Sequence, residues 1–91
     1  MTRYLSLTDR AVRAAAVADA TRTGTTTTLD IKRALRRRGY WATQADVSRR
    51  LARVASGENW PWWPMGGFRL YGVPARGQQG AAVASRAALV N

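Results

Sequence analysis

Between Gln44 and Arg53 the chain carries carboxamide, hydroxyl and guanidinium groups at helical intervals: Gln44, Ser48 and Arg49 with Arg53, interleaved with the small residues Ala45 and Ala52. A guanidinium forks two hydrogen bonds to a phosphate or a guanine edge, and a carboxamide does the same to an adenine edge. Small neighbours let a helix backbone descend close to the surface it reads. The chemistry this set can do is recognition. Reaction chemistry is not expected, because the chain has no His and no Cys: the usual general base, the thiolate nucleophile and the commonest zinc ligands are all missing. Five acids without such partners offer no convincing catalytic pair, so no enzyme activity, cofactor or metal is expected.

Charge points the same way. Fifteen Lys plus Arg against five Asp plus Glu give a formal +10 over 91 residues, and every cation except Lys32 is an Arg. An Arg-rich excess favours a polyanionic partner. The excess is clustered: from Asp30 to Arg53, the cations Lys32, Arg33, Arg36, Arg37, Arg38, Arg49, Arg50 and Arg53 face only Asp30 and Asp46. No apolar run approaches the roughly 18 residues of a bilayer span, and the N-terminus opens no secretory apolar segment. The expectation is a cytoplasmic, nucleoid-associated protein with no membrane partner.

Three elements must position these groups. Ser6-Leu7-Thr8-Asp9, Thr27-Thr28-Leu29-Asp30 and Thr43-Gln44-Ala45-Asp46 each set a hydroxyl three residues before a carboxylate, a helix N-terminal device. The Ala-rich first helix is expected over about 7–22. The second, over about 28–38, puts Ile31, Ala34, Leu35 and the stem of Arg38 inward and Lys32, Arg33, Arg36 and Arg37 outward, and ends at Gly39. The third, over 44–56, buries Val47, Leu51 and Val54 and exposes Gln44, Ala45, Ser48, Arg49, Ala52 and Arg53. Only Gly39-Tyr40-Trp41-Ala42 separates the last two, the length of a helix-turn-helix connection; Tyr40 and Trp41 are expected to pack in the core.

From Asn59 to Val73 the sequence Trp60-Pro61-Trp62-Trp63-Pro64, a Gly66-Gly67 turn and Phe68-Arg69-Leu70-Tyr71 reads as a β-hairpin, with Pro61 and Pro64 restricting its first strand to an edge. Strand alternation sets Trp60 and Trp62 on one side and Trp63 on the other. Trp60 is expected in the core and at least one other Trp exposed. The threonines at 25–28 can supply a third, very short strand. The fold expected is α+β, mainly α: a winged helix-turn-helix of three helices plus a small hairpin wing over 1–74, followed by a flexible tail or short C-terminal helix over 75–91.

The stretch from Thr27 to Pro74 resembles the N-terminal DNA-binding domain of the bacterial arginine repressors. The matching residues are Gly39-Tyr40 at a helix end, Thr43-Gln44-Ala45-Asp46-Val47-Ser48-Arg49 at the next start, and Phe68-Arg69-Leu70-Tyr71-Gly72-Val73-Pro74 in the wing. The resemblance implies that Gln44, Ser48 and Arg49 face an operator. It departs from the family at Asp46, where a hydroxyl residue is usual, at Arg50, where an acid is usual, and in the Trp-Pro-Trp-Trp-Pro of the wing. It implies a DNA-reading module without the arginine-binding, hexamer-forming effector domain of those repressors.

The leading expectation is a double-stranded DNA-binding protein, a transcriptional regulator whose helix 44–56 reads the major groove while the 59–73 wing touches the backbone. Gln44, Ala45, Ser48, Arg49, Ala52 and Arg53 are the expected readers. Arg36, Arg37 and Arg69 are assigned to phosphates, and Trp62 and Trp63 to wing contacts. The alternative is a small adaptor or inhibitor of phage or mobile-element type, binding a host protein through the Trp-rich wing; RNA binding ranks third. A homodimer is expected if the target is palindromic, built by the first helix or by Ala81 to Val90.

Overall fold

The computed structural model describes residues 3–74; the tail, including the helix expected over Ala81 to Val90, lies outside the described residues. The elements run α1 Asp9–Asp19, β1 Thr25–Thr26, α2 Thr28–Arg37, α3 Gln44–Glu58, β2 Trp62–Pro64 and β3 Arg69–Gly72.

Each helix starts on a threonine. Thr27 accepts the Asp30 N–H at 3.3 Å and Thr43 the Asp46 N–H at 3.2 Å, as the hydroxyl–carboxylate spacing predicts. The first helix starts two residues later than its spacing suggests. Thr8, with extended backbone, accepts the Ala11 N–H at 3.1 Å, and Asp9 is the first helical residue. Ser6 plays no capping part because the chain before Thr8 is extended: Leu5 donates to Gly39 O at 2.8 Å and accepts from Trp41 N–H at 3.1 Å, forming a parallel bridge with Tyr40.

The helix ends have equally local causes. α2 closes into Gly39 at φ +91°, which only Gly adopts without strain. α3 continues through Gly57 to Glu58, two residues past the expected end, and stops when Asn59 turns left-handed at φ 60°. Trp60 N–H then returns to Ala55 O at 2.9 Å, which swings the Trp60 ring back onto the core.

The core is where the three helices meet. Val12, Ala15 and Ala16 of α1, Ile31 and Leu35 of α2, and Val47 and Leu51 of α3 have no exposed surface. Alanines at the α1 contact allow close helix approach. Ala55, not Val54, completes the α3 stripe; Val54 is half-buried beside it. Arg38 is exposed, since it sits at the cap beyond the last turn of α2, and does not join the buried face. Trp60, Tyr71 and Val73 close the core at the sheet end.

The sheet is antiparallel with order β1-β3-β2. β1 pairs Thr25 with Gly72 and Thr26 with Tyr71. Thr26 is buried, and its hydroxyl donates to Asp19 Oδ2 at 2.7 Å. β2, the strand that carries Pro64, is an edge, where the missing N–H of Pro costs no ladder bond. Gly66 and Gly67, both at positive φ, make the turn, and Met65 N–H donates to Phe68 O at 2.8 Å. Three helices with a strand between the first two and a hairpin after the third make this a winged helix-turn-helix topology.

Candidate functional site

The inward stripe of α3 leaves the opposite face to carry the chemistry. Gln44, Ala45, Ser48, Arg49 and Arg53 are exposed and Ala52 is half-buried. All six residues expected to be accessible on α3 are thus at least partly so, although Gln44 and Arg53, nine residues apart, project to opposite sides of the helix. They are not equally free. Arg49 lies against Asp46 one turn back, through a single guanidinium nitrogen, and its side chain remains 60% exposed. Arg53 is gripped by Asp9 of α1 through two bonds, Nε–Oδ2 at 2.6 Å and Nη2–Oδ1 at 2.8 Å. Between them Arg50 donates to Asp9 at 2.9 Å and to Asp46 at 3.2 Å, and is only 22% exposed.

This alternation of three guanidiniums and two carboxylates spans α1 and α3. Hydrogen bonds from Arg53, working against burial, and then from Arg50 and both positive charges, lower the Asp9 carboxyl from 3.8 to about 2. Burial opposes ionisation of Asp46, yet hydrogen bonds from Arg49 and Arg50 hold its pKa below the ordinary value. Arg53 is pushed up by its hydrogen bonds to Asp9 and by the charge there. The network favours the ionised form of both carboxylates.

The wing carries two faces. Cross-strand partners share a side of a sheet, so Trp62 lies on the side of Tyr71, and Trp63 on the side of Leu70. The Arg69 guanidinium stacks 4.0 Å from the centre of the Trp62 ring, a cation–π contact. Together with Ala52, Ser56 and Asn59 of the α3 end, Trp62 and Arg69 line a groove of about 460 Å³. Trp62 and Trp63 are each 46% exposed, whereas Trp60 is buried; the strand begins only at Trp62, so alternation does not reach back to Trp60.

Arg36 and Arg37 part company. Arg36 Nε donates to Ala42 O at 2.9 Å and its guanidinium stacks 5.2 Å from the Trp41 ring, bracing the turn into α3. Arg37, rotated about 100° around the helix, lines a separate depression with Asp19, Thr25 and Leu70.

The expectation of Trp41 in the core is corrected. Its ring is 55% exposed and tilts against Tyr4 at 5.3 Å, because Ala42 takes the interior position of the turn. Tyr40 is half-buried and packs on the core. Sequence reasoning missed three contributors. Asp9 reads only as a first-turn acid, since its partners lie 41 and 44 residues away. Ser56 is the last residue of the expected helix and was not singled out, and Asn59 lies beyond that end; the tolerance of Asn for left-handed backbone was the available signal.

Among the described residues no group of three His, Cys, Asp or Glu side chains could hold a metal ion, and no helix is long and apolar enough to cross a membrane. The arrangement presents hydrogen-bond donors and cations on a convex helix beside a hairpin that carries Arg69. No protein-family model, curated protein or solved structure matches the chain.

Proposed function

We propose that the protein binds double-stranded DNA in a regulatory role, with α3 in the major groove and the wing against the backbone. The observation that carries this reading is the division of α3: Val47, Leu51 and Ala55 are buried, while Gln44, Ala45, Ser48 and Arg49 form an exposed polar face. Gln44 and Arg49 are long enough to reach base edges, and Ala45 and Ser48 small enough to let the backbone approach. The charge of +10 supports a polyanionic partner, and the likeness of Thr43 to Arg49 to the reading helix of arginine repressors supports the same role for these residues.

The test is selection from random duplex DNA followed by titration of the enriched sequence at several salt concentrations. An enriched motif, with a log–log salt slope of about −5 for roughly six neutralised phosphates, is expected. Absence of both enrichment and salt-dependent binding rejects the reading.

A second reading is favoured by the exposed Trp62, Trp63, Met65 and Phe68 of the wing: an adaptor that docks on a protein, since exposed aromatics anchor interfaces. A partner captured from nuclease-treated extract by the wild type, and lost in a Trp62→Ala/Trp63→Ala double variant, would favour it.

A further inference from the structure

We infer that Asp9 restrains sequence-independent DNA binding by withholding Arg50 and Arg53 from phosphates; the inference rests on the DNA-binding reading above. Acids are scarce in this chain, five against fifteen cations, yet two of the five stand among the cations of α3. Asp9 accepts two bonds from Arg53 and one from Arg50, all between 2.6 and 2.9 Å. Asp46 takes Arg49 and the remaining bond of Arg50. A face bearing three guanidiniums thus presents a net charge of one.

Position makes Asp9 more than a surface partner. It is the first helical residue of α1, held there by the Thr8 cap, and it reaches α3 from the neighbouring helix. Its grip draws the Arg53 guanidinium toward α1, while Arg49, which Asp9 does not touch, meets Asp46 through one nitrogen only and keeps its side chain 60% exposed. Sequence-independent affinity comes almost entirely from cations that neutralise phosphates. A carboxylate already seated on two of those cations competes with every phosphate, whatever the sequence. Base contacts from Arg49 are left alone. Asp9 is therefore a positioning residue: it acts through the arginines it holds.

The experiment measures binding of wild type, Asp9→Asn, Asp9→Glu, Arg53→Met and the Asp9→Asn/Arg53→Met double variant to a random-sequence duplex between about 50 and 200 mM salt. Motif selection on wild type and Asp9→Asn runs alongside. Asp9→Asn is expected to bind random duplex about tenfold more tightly at the lowest salt, with a slope steeper by about 1 to 2. The selected motif is expected to stay the same, and Asp9→Glu to return toward wild type. Arg53→Met should weaken binding several-fold more in the Asp9→Asn background than in wild type.

A purely structural loss would lower affinity for every duplex, so the gain is the discriminating readout. Unchanged affinity and slope in Asp9→Asn, or an equal effect of Arg53→Met in both backgrounds, overturns the inference while leaving DNA binding intact. If Asp9→Asn fails to fold, a slope reduced by a full unit in Arg53→Met alone overturns it, because Arg53 would already be neutralising a phosphate. If no variant binds duplex, the DNA-binding reading fails and the inference falls with it.

Discussion

Arg53 and Asp9 form a bidentate ion pair across the α1–α3 interface, with Nε–Oδ2 at 2.6 Å and Nη2–Oδ1 at 2.8 Å. The pair joins the start of the first helix to the middle of the third, near the exposed face of α3. Because Arg50 shares the same carboxylate, one acid side chain sets the disposition of two cations. Stability and surface charge are therefore coupled at this point of the molecule.

The coupling has an acid limb. The Asp9 carboxyl is lowered from 3.8 to about 2, so its contribution to stability is fully present above the ordinary value and lost as pH falls toward the folded one. Asp9→Asn should melt below wild type at about pH 6, and the gap should close between about pH 4 and about pH 2. Melting followed by circular dichroism across that range checks it; a gap independent of pH would mean that the carboxylate charge is not the cause.

Leu51 has no exposed surface at the junction of the three helices. Leu51→Ala is expected to cost about 2 to 5 kcal/mol, enough to leave so small a domain largely unfolded. Ser48→Ala, three residues earlier on the exposed face, should stay within about 0.5 kcal/mol of wild type. Urea denaturation of the two variants distinguishes the buried from the exposed side of α3.

Gly72 supports the wing by lacking a side chain. A Cβ there would stand 3.1 Å from Pro61 Cγ and 3.3 Å from the Trp63 ring. Pro61 is rigid and its carbonyl accepts the Gly72 N–H at 2.8 Å, so the half-exposed Trp63 ring must give way. Gly72→Ala should destabilise by about 1 kcal/mol and shift the indole N–H resonance of Trp63 while sparing that of buried Trp60. An unmoved Trp63 signal would contradict this.

Arg49 and Arg69 should differ in kind on DNA. Arg49→Ala is expected to erase about 1 to 3 kcal/mol of preference at the base pair it reads. Arg69→Ala, on the wing, should weaken all duplexes alike and reduce the salt slope by about 1. Competition titrations with the selected motif and single-base variants separate the two. If Arg69→Ala alters the motif, the wing contributes to reading as well.

Much of the fold was legible locally. Thr27 and Thr43 cap where the hydroxyl–carboxylate spacing places them, Gly39 and Gly66-Gly67 turn where positive φ is needed, and Thr25–Thr26 form the short strand. Ser6 does not cap because Leu5 bridges to Tyr40, a pairing 35 residues apart that no local pattern announces. Trp41 stays outside the core because Ala42 takes the interior position of the turn. The site divides in the same way: its membership on α3 follows from helical periodicity, but which of its arginines are occupied does not.

Amphipathic periodicity, cap chemistry and turn residues determined from the sequence alone that α3 has one buried and one exposed face, that a hairpin follows it, and that the whole is strongly basic. These are near-neighbour properties, set by repeats of two or 3.6 residues and by single-residue backbone preferences. Only the tertiary structure decided that Asp9 would meet Arg50 and Arg53, that Arg36 would brace the turn while Arg37 turned away, and that Trp62 and Arg69 would face the α3 end across a groove. Each of those arrangements depends on how packed helices and a closed hairpin bring distant residues within a few ångströms. Hydrogen bonds and charge pairs act at that range, and sequence spacing does not encode it.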